Sequence, residues 1–512
     1  MLAKIHTAAV LGLTAVPVTA EVDVSDGLPG LTIVGLPDAT VRESKERIRS
    51  AIKNTGFAWP QTRVTVNLAP ADVRKEGSAF DLPMALGLLA ASKQIGLEPL
   101  EKIVALGELA LDGTLRPVPG ALAVALGLKG KGRGLLLPAA NAREAAVVAG
   151  VDVYAMGHLH QAVSFLQGSR PEQPVRLDLA DLRRTAGEPA GDLSEVKGQS
   201  VAKRALEVAV AGGHHMLMLG PPGVGKTMLA QRIPTLMPEL SLEEALETTL
   251  VYSVLGRLPS ESPLLSVRPF RAPHHTVSDA GLIGGGAVPR PGEISMAHHG
   301  VLFLDEMPEF SRDSIEALRQ PLEEGVITVT RAHGAVTFPA KVMLVASMNP
   351  CPCGFAGSPS KACLCVPSQI QKYLSKVSGP LLDRMDIHLE VPPVPLPELT
   401  GEPQGESSAQ VRARVVRARA RQRDRFQEEP GIYCNGQMRH RQIRRFCPLP
   451  PEGRDLLKKA VQRLGLSARA YDRVLKVSRT IADLAGSEEI RPEHLAEAIQ
   501  YRALDRNSWA QP

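Results

Sequence analysis

One eight-residue segment constrains the fold of this chain more than any other feature. It fits the pattern G-x-x-x-x-G-K-S/T at every fixed position and reads Gly220-Pro221-Pro222-Gly223-Val224-Gly225-Lys226-Thr227. The apolar run before it predicts a buried strand, and residues 228–232 after it predict a helix. In such a unit, glycines let backbone N–H groups face phosphates at a helix N-terminus. The segment therefore predicts nucleotide binding, with Lys226 reaching the β- and γ-phosphates and the Thr227 hydroxyl ligating Mg²⁺.

Length and charge set broader limits. A chain of 512 residues exceeds what one hydrophobic core holds, so we expect two to four domains. The 59 basic and 54 acidic residues give a net charge of +5, which neither requires nor excludes a nucleic-acid partner. No stretch approaches 18 uninterrupted apolar residues, so the sequence does not predict a membrane span.

The first twenty residues fit two interpretations. Lys4 followed by the apolar residues 8–13 is typical of the start of a short signal peptide. The same region also predicts two strands, at 7–16 and 19–24. We favour the strands and a cytoplasmic location, because an ATP site has no use outside the cytoplasm.

Composition divides the chain into five segments, and the predicted fold class is a multidomain α/β protein. Residues 1–168 alternate short apolar runs with helical patterns, which is typical of an α+β domain. A polar linker follows at 169–192, and 193–395 predicts a doubly wound parallel core around the phosphate loop. Residues 396–430 comprise a second linker and an arginine-rich helix. Residues 431–512 read as wholly helical, with predicted helices at 468–484 and 492–503.

Four further residues carry the chemistry expected around a bound nucleotide. Asp305 and Glu306 follow the apolar run 301–304, where they would hold Mg²⁺ through water and polarise the attacking water, respectively. Asn349 ends the next run and could position that water, or could simply form an Asn-Pro turn. Arg384 lies between Asp383 and Asp386, so it is either a finger on a neighbouring subunit's γ-phosphate or a surface ion pair. Spacing alone does not decide between these roles.

Together these motifs resemble those of an AAA+ ATPase. The resemblance makes 220–227 the Walker A segment, Asp305-Glu306 Walker B, Asn349 sensor 1, Arg384 the arginine finger and Arg469 sensor 2. Residues 271–276 and 281–286 resemble the magnesium-chelatase-like branch, and the whole chain is similar to the YifB/ComM family. The family implies a ring motor that is usually hexameric. Its ComM-type members are associated with DNA branch migration during natural transformation.

Two insertions are candidates for gripping DNA. The first, 268–300, is rich in glycine and histidine, and we expect polar loop contacts rather than a metal site for its four paired histidines. The second, 326–341, predicts a hairpin that resembles the pore loops of related helicase-like proteins. There Arg331, His333 and Lys341 would neutralise phosphates without reading bases, although the hairpin tip could equally be a solvated turn. For the seven arginines of 412–425, packing against the core is favoured over a DNA track.

Four cysteines form two C-x-C pairs separated by nine residues: Cys351, Cys353, Cys363 and Cys365. Four thiolates within such a short segment suit tetrahedral Zn²⁺, and disulfides are not expected in a reducing cytosol. The position between Asn349 and Arg384 predicts a zinc that braces the connecting loop. The remaining cysteines, Cys434 and Cys447, are interpreted as buried or incidental.

Residues 1–168 resemble a Lon-protease-like domain. The region 75–81 looks like the segment that carries the Lon nucleophile, with Ser78 or Ala79 at that place. The partner lysine should follow in 117–124, but no lysine is present there. Because a serine needs a base to become a nucleophile, we expect an inactive domain reused for DNA or subunit contacts.

The leading hypothesis is an ATP-hydrolysing homo-oligomer, expected to be a hexamer, that moves single-stranded or branched DNA as a helicase or branch-migration motor. Its cofactors would be ATP and Mg²⁺, with Zn²⁺ as an additional candidate, and no membrane partner is expected. One alternative is a magnesium-chelatase-type motor subunit, and another is a non-motor remodelling or assembly switch driven by ATP. Stimulation of hydrolysis by DNA separates the first hypothesis from both alternatives.

Overall fold

The computed structural model describes residues 1–178, 191–259, 262–286, 288–331, 334–357, 361–395, 397–398 and 405–506. They belong to two compact units. Unit 1 comprises Met1–Ala186 with Leu242–Ser266, and unit 2 comprises Gly187–Ser241 with Val267–Pro512. Parts of both predicted linkers, at 179–190 and 399–404, lie outside the described residues. The predicted boundary near residue 190 lies close to a division between units, whereas Leu242–Ser266 lies in unit 1 although the sequence grouped it with 193–395.

Unit 1 is built on a mixed seven-stranded sheet with the order β3-β4-β2-β1-β5-β8-β9. Strand β2 runs antiparallel to β1 and β4, and the remaining neighbours are parallel. Two N-terminal strands are present as predicted, but they pair as a hairpin that turns at 12–13, so the predicted strand 7–16 spans this turn. The strands of unit 1 are β1 Leu2–Leu11, β2 Thr14–Ser25, β3 Gly30–Val34, β4 Arg63–Ala69, β5 Ile103–Ala105, β6 Glu108–Leu109, β7 Leu115–Arg116, β8 Gly134–Pro138 and β9 Val153–Met156.

Two apolar clusters cover opposite faces of this sheet. Leu136 of β8 lies in one cluster, and its neighbours Leu135 and Leu137 lie in the other. Because successive side chains of a strand point to opposite faces, the clusters lie on either side of the sheet. The helices of unit 1 are Ala39–Asn54, Asp81–Ala91, Glu98–Glu101, Ala121–Leu128, Ala139–Ala146, Leu159–Leu166 and Leu242–Val254, with a 3₁₀ turn at Ser78–Phe80.

Helix Leu242–Val254 joins unit 1 through backbone and apolar contacts. The Gly120 N–H donates to the carbonyl oxygen of Ser253 at 2.9 Å, and Leu250 packs against the cluster that contains Leu122. Local periodicity predicts that such a segment is helical, but it does not say which core the apolar face will cover.

Unit 2 contains a parallel five-stranded sheet with the order β11-β14-β17-β10-β18, which confirms the predicted parallel core. The first of these strands, β10, lies between β17 and β18, so the strand order reverses beside it. Open parallel sheets bind ligands outside the carboxyl ends of their strands at such a reversal. The strands of unit 2 are β10 Met216–Leu219, β11 Phe270–Arg271, β12 Gly284–Gly285, β13 Arg290–Pro291, β14 Val301–Leu304, β15 Val326–Arg331, β16 Gly334–Pro339, β17 Met343–Met348 and β18 Ile387–Glu390.

Every regular element within 405–506 is a helix, and these helices share one apolar cluster with the sheet. Val415 and Ile481 lie in the same cluster as Met218 and Phe303. The helices of unit 2 are Ser200–Gly212, Lys226–Leu236, Asp279–Ile283, Glu293–Met296, Arg312–Ala317, Arg319–Glu324, Pro367–Leu374, Gly379–Leu382, Ser408–Arg425, His440–Phe446, Pro451–Leu464, Ala468–Leu484 and Pro492–Gln500. Its 3₁₀ turns are Leu193–Glu195, Met307–Glu309, Asn435–Gln437 and Ala503–Arg506.

The arginine-rich helix Ser408–Arg425 packs against the core of unit 2. Val411, Val415, Ala418 and Gln422 are its buried face. Several of its arginines are engaged within the unit: Arg412 with Glu239, Arg414 with Glu207 and Glu406, Arg419 with the Val210 carbonyl oxygen and Arg425 with Asp483. These contacts agree with the packing interpretation.

A buried charge network fixes helix Ala468–Leu484 to the sheet. Arg473 Nη1 donates to Asp386 Oδ1 at 2.8 Å, and His214 Nδ1 lies 3.1 Å from Asp386 Oδ2. Burial alone would raise the pKa of Asp386, but the Arg473 guanidinium and the His214 hydrogen bond hold it well below its ordinary value. Asp386 precedes β18 and His214 precedes β10, so the network holds Arg473, and with it Arg469 one turn earlier, at a defined place beside the sheet.

Replacing Asp386 by Asn should destabilise unit 2 by about 3 kcal/mol at neutral pH, because it leaves the Arg473 charge, whose side chain is only 18% exposed, without its partner. Since the folded-state pKa of Asp386 is depressed, its contribution is fully present above the unfolded-state pKa of about 4 and is lost as pH falls through the folded-state value. Denaturant unfolding of both proteins at several pH values measures the difference.

Asp455→Asn is the matched control, because Asp455 is exposed on helix Pro451–Leu464. It should change stability by less than about 0.5 kcal/mol. Equal unfolding midpoints for the Asp386→Asn and Asp455→Asn variants would contradict the assignment of the network.

Candidate nucleotide-binding site

The phosphate-loop motif connects β10 to helix Lys226–Leu236. Its glycines are required for different structural reasons. Gly223 and Gly225 have φ of +79° and +91°, in the left-handed region that side chains with a Cβ rarely adopt. A Cβ on Gly220 would lie 2.4 Å from the carbonyl oxygen of Val391, just beyond β18. The loop therefore needs glycine at all three positions.

Lys226 is the buried charge at the centre of the site. Its Nζ donates to the carbonyl oxygens of Gly220 at 2.6 Å and Pro221 at 2.9 Å, and to Asn349 Oδ1 at 2.9 Å. Burial lowers the pKa of Lys226 to about 8, although the charges of Asp305 and Glu306 act in the opposite direction. Lys226 and Asn349, predicted separately from the sequence, thus meet where β10 and β17 end side by side.

Asp305 links the loop to the neighbouring strand ends. The Thr227 hydroxyl donates to Asp305 Oδ2 at 2.7 Å, and the Ser347 hydroxyl donates to Asp305 Oδ1. Ser347 is buried near the end of β17 and was not singled out from the sequence. Its place at the end of a strand next to β14 is the only signal that could have found it.

Glu306 is exposed and has an unusual backbone conformation. Its φ is +51°, and its N–H faces Asp305 Oδ1 at 3.1 Å and Ser347 Oγ at 3.3 Å. A left-handed conformation in a non-glycine residue costs about 1 kcal/mol or more and is concentrated at functional sites. The hydrogen bonds hold Glu306 at the strand end with its carboxylate exposed to solvent.

Tyr373 is a second residue that the sequence analysis missed. Its hydroxyl is hydrogen-bonded to the backbone of Asn349, and burial raises the pKa of Tyr373 to about 12. Tyr373 lies on helix Pro367–Leu374, which no nucleotide motif includes.

Arg384 has an internal partner that differs from both predicted ones. Its guanidinium is buried, where Nη1 donates to the Pro380 carbonyl oxygen at 2.6 Å and Nη2 forms an ion pair with Glu323. Asp386 is instead occupied by Arg473, and Glu323 lies far away in sequence. Burial lowers the pKa of Arg384, and the positive charges of Arg319 and Arg469 act in the same direction. Arg469 is exposed beside the start of helix Ala468–Leu484.

The predicted hairpin is present as β15 paired with β16. His333 and the side chain of Arg331 lie outside the described residues, whereas Lys341 follows β16 at the base of the hairpin. The Lys341 ammonium lies 5.2 Å from the centre of the Tyr433 ring. Counting about 3.4 Å per residue from Val326 to Arg331, the Arg331 backbone is about 17 Å from the base of the hairpin, beside which Lys341 lies.

The structure shows some of the polar contacts that were predicted for the paired histidines. His274 Nδ1 lies 2.9 Å from Thr276 Oγ1, and His298 Nδ1 accepts a hydrogen bond from the Lys341 N–H at 3.1 Å. The rings also contact each other within each pair in tilted arrangements, with centroids 4.1 Å apart for His274 and His275 and 3.8 Å apart for His298 and His299.

The four clustered cysteines converge as a metal centre requires. The Cys351 Sγ lies 3.3 Å from Cys353 Sγ and 3.6 Å from Cys363 Sγ, and all four sulfurs lie within 4.8 Å of one another. These separations are too long for an S–S bond of about 2.05 Å. They approach the roughly 3.8 Å between ligands that a tetrahedral Zn²⁺ with Zn–S bonds of about 2.3 Å imposes. The donor set therefore fits Zn²⁺.

Backbone N–H groups surround the sulfurs. The Ala356 N–H donates to Cys351 Sγ at 3.3 Å, and the Cys365 N–H donates to Cys363 Sγ at 3.4 Å. The backbone hydrogen bonds from Leu364 and Phe355 lower the pKa of Cys353 to about 6. Hydrogen bonds of this kind stabilise thiolates, which are the protonation state that metals bind. Cys434 and Cys447 are buried away from this centre, as expected.

In unit 1, the Ser78 hydroxyl donates to Glu108 rather than to a lysine. Glu108 also lies 3.6 Å from Arg116. The position of the expected lysine falls in 117–124, whose helical part packs Leu122 into the core. The contacts described for Ser78 therefore contain a carboxylate but no ammonium group.

A glycine loop between a central parallel strand and a helix, with its threonine hydrogen-bonded to an aspartate just after β14 and its lysine hydrogen-bonded to an asparagine just after β17, defines the phosphate-loop class of nucleotide-binding proteins. Comparison with known proteins narrows this class. Residues 192–399 match the family model of magnesium chelatase, subunit ChlI. Residues 20–141 match subunit ChlI of Mg-chelatase, and residues 405–502 match the ChlI C-terminal model.

Several relatives match the chain over nearly its whole length. YifB of Salmonella typhimurium (strain LT2) is 45% identical over 509 residues, which cover 99% of this chain and 98% of the relative. Competence protein ComM of Haemophilus influenzae (strain Rd) is 46% identical over 511 residues, which again cover 99% and 98%. The chain belongs to the YifB/ComM family, whose magnesium-chelatase-like AAA+ domain implies ATP and Mg²⁺ as cofactors.

Two further findings concern the rest of the molecule. Lon protease 2 of Bacillus subtilis is 29% identical over 153 residues, 27% of this chain and 26% of that protein. Among the described residues, no helix combines the length and the apolarity that crossing a lipid bilayer requires.

The depressed pKa of Lys226 predicts that affinity for ADP falls as pH rises. Anionic phosphates bind the ammonium form, and in the free protein that form is lost above about pH 8. The dissociation constant should therefore be constant below about pH 7 and rise by up to about tenfold per pH unit above about pH 8. Titration calorimetry across this range measures it.

Lys226→Arg is the comparison variant, because a guanidinium keeps its charge up to pH values above about 12. Whatever its absolute affinity, its pH profile should be flat over the same range. A flat wild-type profile, or the same decline in both proteins, would show that another group controls the pH dependence.

Proposed function

We propose that this chain is the subunit of an ATP-driven ring motor that acts on DNA, with branch migration as its activity. The observation that carries the proposal is the convergence of Lys226, Thr227, Asp305 and Asn349 at the carboxyl edge of the unit 2 sheet. The likeness to competence protein ComM over nearly the full chain supports DNA as the substrate. The use of ATP supports a cytoplasmic location.

The residues at this edge of the unit 2 sheet have different roles in ATP hydrolysis. When bound, ATP supplies the phosphoanhydride bond and Mg²⁺ neutralises charge on the phosphates. Backbone N–H groups of the phosphate loop and Lys226 hold the phosphates, while the Thr227 and Asp305 oxygens, already 2.7 Å apart, hold Mg²⁺. Glu306, held at its strand end and exposed, polarises the attacking water, and Asn349 orients it.

Arg384 and Arg469 complete the site at a boundary between subunits. As an arginine finger, Arg384 exchanges its internal partner Glu323 for the γ-phosphate bound by a neighbouring subunit. Arg469, which is exposed, contacts the nucleotide of its own subunit as sensor 2. A homo-hexamer places one such pair at every boundary.

We further propose domain roles. Residues 1–168 form an inactive Lon-like domain, 193–395 form the ATPase core and 431–512 form a helical lid, joined by 169–192 and 396–430. Ser78 bonded to Glu108 supports inactivity, because the described partner of the serine is a carboxylate and not the lysine base of a Lon-like site. Arg331, His333 and Lys341 contact DNA phosphates, with Lys341 acting at the hairpin base and the others at the turn.

A magnesium-chelatase-type motor subunit is the second candidate function, because all three matching family models are those of magnesium chelatase. Such a motor would use the same ATP site to drive Mg²⁺ insertion into a porphyrin with partner subunits. A non-motor assembly switch would also hydrolyse ATP but would need no DNA.

Glu306→Gln should lower the ATP turnover rate by about a hundredfold or more, because it removes the carboxylate that polarises water. Affinity for ATP should change little, since Lys226 and the loop remain. Hydrolysis is measured with and without single-stranded and four-way-junction DNA, together with migration of the junction. Glu309→Gln, three residues further on and paired with Lys376, is the matched control.

The DNA motor requires that wild type and Glu309→Gln hydrolyse ATP faster with DNA and migrate the junction, while Glu306→Gln does neither. Hydrolysis that DNA does not stimulate would favour the chelatase or the switch. Undiminished turnover in Glu306→Gln would remove the catalytic assignment of that residue.

We also propose that Cys351, Cys353, Cys363 and Cys365 hold one Zn²⁺ per chain. Freshly purified wild type should contain one equivalent of zinc by elemental analysis. The double variant Cys351→Ser/Cys363→Ser should contain none, because two of the four ligands are lost. Cys434→Ser, outside the cluster, should retain the metal, and a wild-type protein without stoichiometric zinc would refute the proposal.

A further inference from the structure

The four-cysteine centre touches the phosphate loop directly. Gly354 follows Cys353 in a tight turn, in which its N–H donates to the Cys351 carbonyl oxygen at 2.9 Å. Its φ is +86°, and a Cβ at this position would lie 2.6 Å from Cδ of Pro222. The backbone of the cysteine turn therefore packs against the proline ring of the phosphate loop, without room for a side chain between them.

Both arms of the centre lead to Asn349. On the first arm, Cys351 is buried and follows Asn349 by two residues. On the second arm, Cys365 leads into helix Pro367–Leu374, whose Tyr373 hydroxyl bonds back to the backbone of Asn349. The segment from Asn349 to Tyr373 thus contains all four cysteines, and its two ends meet at the backbone of Asn349.

A bound metal would make this segment, from Asn349 to Tyr373, more rigid. A flexible loop of this length loses considerable conformational entropy when it is held in one form, and a metal that links four side chains offsets that cost. Asn349 Oδ1 accepts one of the three hydrogen bonds of the Lys226 ammonium, and Pro222 lies within the loop that surrounds it. A rigid segment therefore holds in place both the Asn349 oxygen that partners Lys226 and the backbone of the phosphate loop.

We propose that metal occupancy of the four-cysteine centre controls nucleotide affinity, because the centre holds Pro222 and Asn349 in the nucleotide-binding arrangement. The inference rests on the proposed function of the phosphate loop as an ATP site. Coupling between two binding sites is reciprocal, so bound nucleotide must also raise the affinity of the centre for the metal. The centre is a positioning element, since its ligands do not touch the nucleotide themselves.

A pair of glycine variants isolates the contact from the metal. Gly354→Ala and Gly357→Ala both place a Cβ on a left-handed residue of the same loop, at φ of +86° and +74°. At Gly354 the Cβ meets Pro222, whereas at Gly357 it meets nothing within 4 Å among the residues that the structure describes. Both variants keep all four cysteines.

We expect one equivalent of zinc in both variants, but a dissociation constant for fluorescent ADP roughly tenfold higher in Gly354→Ala and within about twofold of wild type in Gly357→Ala. Equal affinities in the two variants would overturn the proposed contact. Loss of zinc from Gly354→Ala alone would also overturn it, because the contact would then act by building the metal site.

A second measurement uses wild-type protein and needs no variant to fold. Zinc is withdrawn by a chromogenic chelator with and without saturating ADP, and the affinity for fluorescent ADP is measured before withdrawal and after zinc is restored. We expect ADP to raise the affinity for zinc severalfold, measured as the chelator concentration that removes half of the zinc at equilibrium, and zinc removal to weaken ADP binding reversibly.

The outcomes separate the two proposals. A wild-type protein that does not bind ADP contradicts the proposed function itself. A protein that binds ADP with equal affinity in its zinc-loaded and zinc-free forms contradicts only the coupling, and so does a zinc affinity that ADP leaves unchanged. A protein that neither contains nor takes up zinc also overturns the coupling while leaving the ATP site intact.

Discussion

The buried ammonium group of Lys226 is the interaction on which the rest of the nucleotide site depends. Burying a charge is costly unless polar partners surround it, and here the Gly220 and Pro221 carbonyl oxygens and Asn349 Oδ1 supply them. That arrangement requires β10 and β17 to be neighbours, which the crossover topology of unit 2 provides. It also requires glycine where the loop approaches Val391. The Lys226 ammonium group, with its pKa lowered, thus lies at the edge of the unit 2 sheet, where phosphate oxygens can replace its internal hydrogen-bond partners.

Much of the nucleotide site was predictable because its motifs are local. The phosphate loop, the acidic pair at the end of β14 and helix Ala468–Leu484 follow from short patterns whose geometry is set within a few residues. Partners that lie far away in sequence were not predictable. Glu323 as the partner of Arg384, Tyr373 as the support of Asn349 and Ser347 as the donor to Asp305 depend on which elements the tertiary fold places side by side.

Segment Leu242–Ser266 shows the same limit at the level of the fold. Its helix was expected to belong to the ATPase core, because it follows the phosphate-loop helix in the chain. In the structure its backbone and apolar face join unit 1 instead. The cysteine centre shows both cases. A local pattern of four thiols predicted a cluster that the fold assembles. The contact of this cluster with Pro222, in contrast, depends on how two loops pack.

The central claim is that the partners of Lys226 and the Thr227–Asp305 pair form the site of MgADP and MgATP. Structure determination of the protein with MgADP tests it most directly. The account predicts Lys226 Nζ within hydrogen-bonding distance of a β-phosphate oxygen, and Mg²⁺ beside Thr227 and Asp305 in place of their direct hydrogen bond. Nucleotide bound elsewhere, with the hydrogen bonds of Lys226 to Gly220, Pro221 and Asn349 unchanged, would contradict it.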